Sequence, residues 1–227
     1  QNKKIHTILI TDIMQTNFVN GITSFIEKKM NKSMHKIMKK CDVVIIPENG
    51  PDEGNIKRVG SIVRQTNFSR EDLRKKFSFD KKTIVVSIGG TDAGLFLIEK
   101  TLKVIAKIDQ DISVVVVSGP SLSKKFGDSI KNIGFINNLH EMIFASDVIV
   151  SLAGKSTIDE ARAYGTPGIF IPIKGHFEQV GNAKEEGFVF EDINRLDKLI
   201  LEKLEQKRNP LETRGAITAY NIIKKLI

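Results

Sequence analysis

The chain has 227 residues, of which 41% are hydrophobic and 27% charged, with a formal net charge of +8 and a pI near 9.4. This length allows one large domain or two small ones with a real core, and the composition excludes a disordered chain. One cysteine, Cys41, excludes an internal disulfide and a cysteine-based metal site.

Cys41 precedes the apolar run Val43–Ile46 and is expected to be a buried thiol, which suits a reducing, cytoplasmic location. No apolar run reaches the roughly 18–20 residues of a membrane span, and no signal peptide is visible. The lysines are scattered over amphipathic segments, which reads as a solvated surface. No aromatic-rich basic motif points to nucleic acid, so no nucleic-acid partner is expected. The chain opens on Gln1 and runs directly into a strand-like segment, so an upstream part is expected to be missing.

In chain order, Ile5–Ile10 reads as a strand, 22–40 as an amphipathic helix and 43–46 as a strand, followed by the turn cluster Asn49-Gly50-Pro51-Asp52-Glu53-Gly54. Residues 57–63 read as a short strand or linker, and 65–80 as a polar connector with one short helix. A strand over 83–87 ends in Gly89-Gly90; a helix near 95–108 and a strand over 112–118 follow. Residues 132–136 read as a weaker strand and 139–145 as a helix. The run 148–152 is a buried strand, a helix opens at Gly154, and 168–173 is the next strand. A helix near 178–186, a short strand at 188–190 and helices near 194–206 and 213–226 complete the pattern.

Such alternation predicts an α/β fold, a Rossmann-like parallel sheet with helices on both faces. The expected organisation is the end of an incomplete α/β domain over 1–60, a linker over 61–82, and a C-terminal domain over 83–227 whose last helix packs back on the N-terminal part.

Polar groups gather where strands 148–152 and 168–173 end, the place where open α/β sheets bind nucleotides. Gly154-Lys155-Ser156-Thr157 matches the end of a P-loop motif, but the motif's first glycine would fall on Ile149 inside the strand, and that excludes the reading. What remains is a helix N-terminus suited to a diphosphate, with hydroxyls from Ser156 and Thr157. The competing reading is an ordinary cap, since Thr157-x-x-Glu160 spells a capping box. Glu160 could otherwise take the two hydroxyls of a ribose. Ser87 to Gly94 is a second glycine-rich strand-to-helix turn. His176, Glu178 and Gln179 cluster after the later strand, where such side chains can grip sugar hydroxyls. His140 reads as a surface or capping histidine, and the four histidines lack the spacing of helical zinc ligands.

The segments 87–94, 138–147, 154–172 and 176–183 together resemble the donor-binding half of GT-B glycosyltransferases, most closely family 28, the group containing the peptidoglycan transferase that adds GlcNAc to lipid I. Their order and spacing agree over roughly residues 83–190. The resemblance implies a GT-B fold and a metal-independent, inverting hexosyltransferase using a UDP-sugar as substrate, with no cofactor or metal. Gly154, Lys155, Ser156 and Thr157 would lie along the diphosphate and Glu160 would bind the ribose. Glu178 and Gln179, with His176 beside them, would meet the donor sugar; Gly90 and Thr91 would face the same cleft; residues 135–142 would flank the uracil. The acceptor would be lipid-linked or a small molecule, with peripheral membrane contact.

Two departures stand out. Ser151-Leu152-Ala153 is more apolar than the family's turn, and Lys155 is unusual at its place. The family's general base comes from a glycine-rich loop with a histidine in the N-terminal half; no such loop occurs here, so no catalytic residue is assigned. A nucleotide-sugar hydrolase on the same scaffold and a non-catalytic UDP-binding subunit of a split transferase are the alternatives.

Overall fold

The computed structural model describes residues 5–12, 14, 16, 24–90, 92–120, 122, 126–127 and 130–226. Contacts divide the chain into two units, residues 1–63 with 212–227, and residues 64–211. The division therefore falls inside the segment read as a linker.

The first unit holds β1 (Ile8–Ile10), α1 (Ser24–Lys40), β2 (Val43–Ile46) and β3 (Ile56–Arg58), with the three strands parallel in the order β1-β2-β3. Alternation along β2 sorts the side chains to two faces. Val44 and Ile46 pack with Met38 and Cys41 on one side. Val43 and Ile45 pack with Ala219, Ile222 and Ile223 of α8 (Gly215–Lys224) on the other. The C-terminal helix thus belongs to the N-terminal unit. A Cβ on Gly215 would come within 2.3 Å of the Ser61 carbonyl, so the first turn of α8 can lie there only as glycine. Among the described residues no helix is long and apolar enough to cross a membrane.

The second unit contains α2 (Arg70–Phe77), β4 (Lys82–Ser87), α3 (Leu95–Ile105), β5 (Ile112–Val117), β6 (Lys131–Asn132) and α4 (Leu139–Ala145). β7 (Val148–Leu152), α5 (Lys155–Tyr164), β8 (Gly168–Ile171), α6 (Phe177–Glu185) and α7 (Leu196–Glu205) follow. Among the described residues its five strands are all parallel, in the order β6-β5-β4-β7-β8. Ile84–Val86, Val148–Val150 and Ile169–Ile171 are almost wholly buried, as expected of a sheet covered on both faces.

β4, β5 and β6 step one way across the sheet, and β7 and β8 step the other way. The reversal lies between β4 and β7, where Ser87 pairs with Ser151. A crevice opens beyond the carboxyl ends of strands at such a switch point.

Two expectations fail for local reasons. The strand read over 132–136 stops at Asn132, because the Asn132 side chain accepts from the amide of Gly134 at 3.1 Å and Gly134 turns the chain at φ +69°. No strand forms at 188–190. The amides of Gly187 and Phe188 donate to Lys184 and Ala183 as a Schellman closure of α6, and Val189 N–H goes to Asp192 at 2.8 Å. With those donors spent, the chain enters a 3-10 helix over Phe190–Arg195.

The polar connector also carries structure. Arg70 and Arg74 of α2 reach Asp147 at 2.7 and 2.9 Å, and the Thr83 amide donates to the same carboxylate at 2.7 Å. Asp147 thereby ties α2 to the start of β4 and the turn before β7.

Candidate nucleotide-binding site

Both loops at the switch point are built from glycine. Gly89 adopts φ +77°, and a Cβ on Gly89, Gly90 or Gly154 would meet nothing within 4 Å, so open space lies over all three. Gly119, at φ +74°, approaches so closely that a Cβ there would sit 2.1 Å from the Gly89 carbonyl oxygen. This contact fixes the Gly89-Gly90 turn from below. Thr91 lies outside the described residues.

The helix beyond β7 starts earlier than a capping box would have it. α5 begins at Lys155 with Gly154 as its N-cap, and no side chain caps it. Thr157 is the third residue of the helix, so the Thr157–Glu160 capping box does not form. The amides of Lys155, Ser156 and Thr157 donate to no group among the described residues. Three free N–H groups at the positive end of a ten-residue helix have the geometry that suits an anion. Ser156 is exposed and Thr157 half-buried beside it. Lys155 is committed elsewhere: its Nζ pairs with Oδ1 of buried Asp159 at 2.7 Å.

Glu160 is buried, with Oε1 accepting from Nε of Arg64 at 2.9 Å. Nη1 of the same guanidinium donates to the Asn137 carbonyl at 2.7 Å. Arg64 joins Glu160 to the segment read as the flank of the base. Its own carbonyl accepts from the Tyr164 hydroxyl at 2.8 Å. Burial first, then the charges of Glu160 and Glu141, push that phenol up to about 12, so it stays a donor at neutral pH.

His140 is buried at 9% exposure rather than lying at the surface. The sequence reading missed this, and the reason lies in tertiary contacts: residues around Arg64 and Gln65 cover the start of α4. Burial first, then the Arg64 charge, hold the imidazole below its ordinary range, against the pull of Glu160 and Glu141. Its neighbour Glu141 is pushed up by burial but lowered more by Lys76 and Asn138, which donate at 2.7 and 2.5 Å.

A pH dependence follows. A histidine whose folded pKa is depressed binds fewer protons folded than unfolded, so its contribution is complete above the ordinary value of about 6.5 and is lost as pH falls toward the folded value. Urea midpoints measured between about pH 7.5 and 5 should fall less steeply for His140→Gln than for the parent protein. Parallel slopes would show that His140 is not the group responsible.

After β8, His176 is the N-cap of α6, its Nδ1 accepting from the Gln179 amide at 3.4 Å. The Gln179 side-chain oxygen accepts from the Ile173 amide at 3.0 Å and so steadies the loop, which leaves its NH2 group to act outward. Glu178 is half-buried and has no polar partner among the described residues. Asn182 of α6 donates to the Ala153 carbonyl at 3.0 Å, lashing α6 to the residue just before the Gly154 cap. The structure thus brings Lys155, Ser156, Thr157 and Glu160 onto one helix with Gly154 as its cap, Gly90 onto the facing loop across the switch point, and His176, Glu178 and Gln179 onto the next helix start.

Residues 83–218, more than half of the chain, match the profile of the glycosyltransferase family 28 C-terminal domain. The chain belongs to this family. Among curated relatives, an uncharacterized glycosyltransferase of Methanosarcina acetivorans is 29% identical over 203 residues, covering 81% of this chain and 53% of that protein. The UDP-N-acetylglucosamine–N-acetylmuramyl-(pentapeptide) pyrophosphoryl-undecaprenol N-acetylglucosamine transferase of Thermosipho melanesiensis is 31% identical over 167 residues, covering 68% of this chain and 49% of that protein. The chain spans about half the length of these relatives. Among solved structures, the glycotransferase of kitacinnamycin superposes with a TM-score of 0.58 at 14% identity, covering 89% of this chain and 56% of that one. The fold of this family 28 chain is of the GT-B type.

Arg64 is the site-lining residue that sequence reasoning passed over. It stands in a polar stretch without periodicity, 96 positions from its partner Glu160. No local signal marks such a contact.

Proposed function

We propose that this chain binds the UDP portion of a UDP-sugar and serves a metal-independent, inverting transfer of a hexosyl group to an acceptor hydroxyl. The observation that carries the reading is the uncapped start of α5 at the switch point, with a buried carboxylate further along the same helix. The diphosphate lies on the amides of Lys155, Ser156 and Thr157, and the ribose hydroxyls meet Glu160. Residues around Asn137 flank the base, and Glu178 with the free end of Gln179 reaches the sugar.

In such a transfer the bond between sugar carbon and phosphate oxygen breaks with oxocarbenium character, and both bonding electrons leave with UDP. Charge then grows on the oxygen nearest the helix start. Fixed amides aimed there stabilise the transition state more than the ground state and need no reorganisation. The acceptor oxygen attacks from the opposite face, which inverts the configuration. The base that takes its proton is assigned to no residue of this chain.

The name of the Thermosipho relative supports the choice of a UDP-linked donor and a lipid-linked acceptor. Peripheral membrane contact finds support in α1, where Phe25, Ile26, Met30 and Ile37 are exposed among lysines.

Calorimetry against UDP, ADP and GDP tests the reading. UDP should bind at least about tenfold more tightly than the other two, a difference of about 1.4 kcal/mol. Equal affinities would contradict it. Sugar release from a UDP-sugar in water alone, undiminished by acceptors, would assign hydrolysis instead.

A further inference from the structure

Glu160 and the segment around Asn137 come from different elements, α5 and the approach to α4. A ligand that touches both needs them in register. No backbone pairing joins the two, because α4 and α5 lie outside the hydrogen-bonded ladder. Among the described residues one guanidinium bonds both Glu160 and the Asn137 carbonyl. Nε of Arg64 donates to Oε1 of Glu160 at 2.9 Å, and Nη1 donates to the Asn137 carbonyl at 2.7 Å.

Three features suit this link to positioning. The Glu160 side chain is buried to 5% exposure, where a buried polar group needs a well-placed donor. Arg64 uses one carboxylate oxygen only; Oε2 takes no hydrogen bond among the described residues and is not sealed from solvent. The base of the Arg64 side chain is itself held, because Tyr164, one turn beyond Glu160, donates to the Arg64 carbonyl at 2.8 Å. A planar fork anchored at its root can set the angle between two acceptors, which a flexible ammonium cannot.

We propose that Arg64 is a positioning residue of the nucleotide site, which fixes the Glu160 carboxylate against the Asn137 segment so that Oε2 is presented to the ribose 2′- and 3′-hydroxyls. The proposal rests on the donor-site reading above. It makes Arg64 a determinant of ribose recognition without contact with the diphosphate.

The test compares UDP, 2′-deoxy-UDP and inorganic diphosphate by calorimetry on the full chain, for the parent protein, Arg64→Met and Arg64→Lys, with Glu160→Gln and the Arg64→Met/Glu160→Gln double variant completing a cycle. The parent should prefer UDP to 2′-deoxy-UDP by about tenfold, in line with one hydrogen bond to a charged group. Arg64→Met should reduce that preference to about twofold while leaving inorganic diphosphate unchanged. Arg64→Lys should fall between the two, and the double variant should bind no more weakly than Glu160→Gln alone. Equal losses for all three ligands would show a merely structural role and overturn the proposal. Unchanged or tighter UDP binding in Arg64→Met and Arg64→Lys would overturn it too, the tighter case marking Arg64 as a competitor for Glu160. If the parent shows no preference for UDP over its deoxy analogue, the ribose assignment of Glu160 fails first and the inference falls with it.

Discussion

Replacing Glu160 by Gln should weaken UDP binding by about 100-fold, with the fold retained. A hydrogen bond to a charged group contributes roughly 1.5–3 kcal/mol. Two ribose hydroxyls on one carboxylate reach the 2.7 kcal/mol that corresponds to about 100-fold. Gln preserves the side-chain volume of a residue only 4% exposed, so no cavity opens. The abandoned Arg64 side chain is about half exposed at 52% and can be rehydrated. Thermal melting should therefore move little while affinity falls. Inorganic diphosphate, which never reaches Glu160, should bind the variant as it binds the parent. A loss shared by diphosphate would mean that the whole start of α5 had shifted.

The largest effect on stability is expected at Arg208. Its guanidinium donates to the carbonyls of Ser146, Phe144 and Tyr164 at 2.8, 3.0 and 3.0 Å, and to the Thr166 hydroxyl at 2.6 Å. It also lies 5.6 Å from the centroid of the Phe144 ring. Burial first, then repulsion from Arg70, lower its pKa to about 10, which still leaves it charged at neutral pH. These contacts clamp the end of α4 to the end of α5, the helices that carry His140 and Glu160. Arg208→Met fills part of the volume but leaves the carbonyls of Phe144 and Tyr164 and the buried Thr166 hydroxyl without this donor, while the Ser146 carbonyl keeps only Arg70 at 3.4 Å. Leaving buried neutral acceptors unpaired costs about 1–3 kcal/mol each, or about 3–5 kcal/mol for this set. At roughly 2–4 °C per kcal/mol for a domain of this size, the melting temperature should drop by about 10 °C. Arg208→Lys should recover little, since one ammonium cannot span four acceptors at the ends of two helices. A change of only a degree or two would show that water replaces the guanidinium.

Much of the second unit could be read from residues 83–190 because parallel strands covered on both faces appear as unbroken apolar runs. Ile84–Val86 and Val148–Val150 are unbroken apolar runs that lead into the glycine turns at 89–90 and 154. The failures arose where a single backbone donor decided the outcome. Phe188 has a strand-like sequence, yet its amide closes α6. Asn132 opens an apolar run, yet its side chain caps the turn at Gly134.

At the candidate site, the helix start and its carboxylate were visible in order along the chain. Their competing explanation was visible too, and sequence could not separate them. The N-cap position separates them: with Gly154 in that place, Thr157 is already inside the helix and cannot be a cap. Arg64 and the burial of His140 are products of tertiary folding. Both depend on the stretch after Val63 crossing α4 and α5, and nothing in Val63-Arg64-Gln65-Thr66 announces that path.

The central claim is that a nucleoside diphosphate is held by the amides opening α5. A crystal structure of the complex with UDP tests it most directly. Phosphate oxygens should lie within about 3 Å of the backbone nitrogens of Lys155, Ser156 or Thr157, with the ribose diol on Oε2 of Glu160. A nucleotide bound away from the β4–β7 switch point, or a diphosphate turned from those amides, would contradict the account.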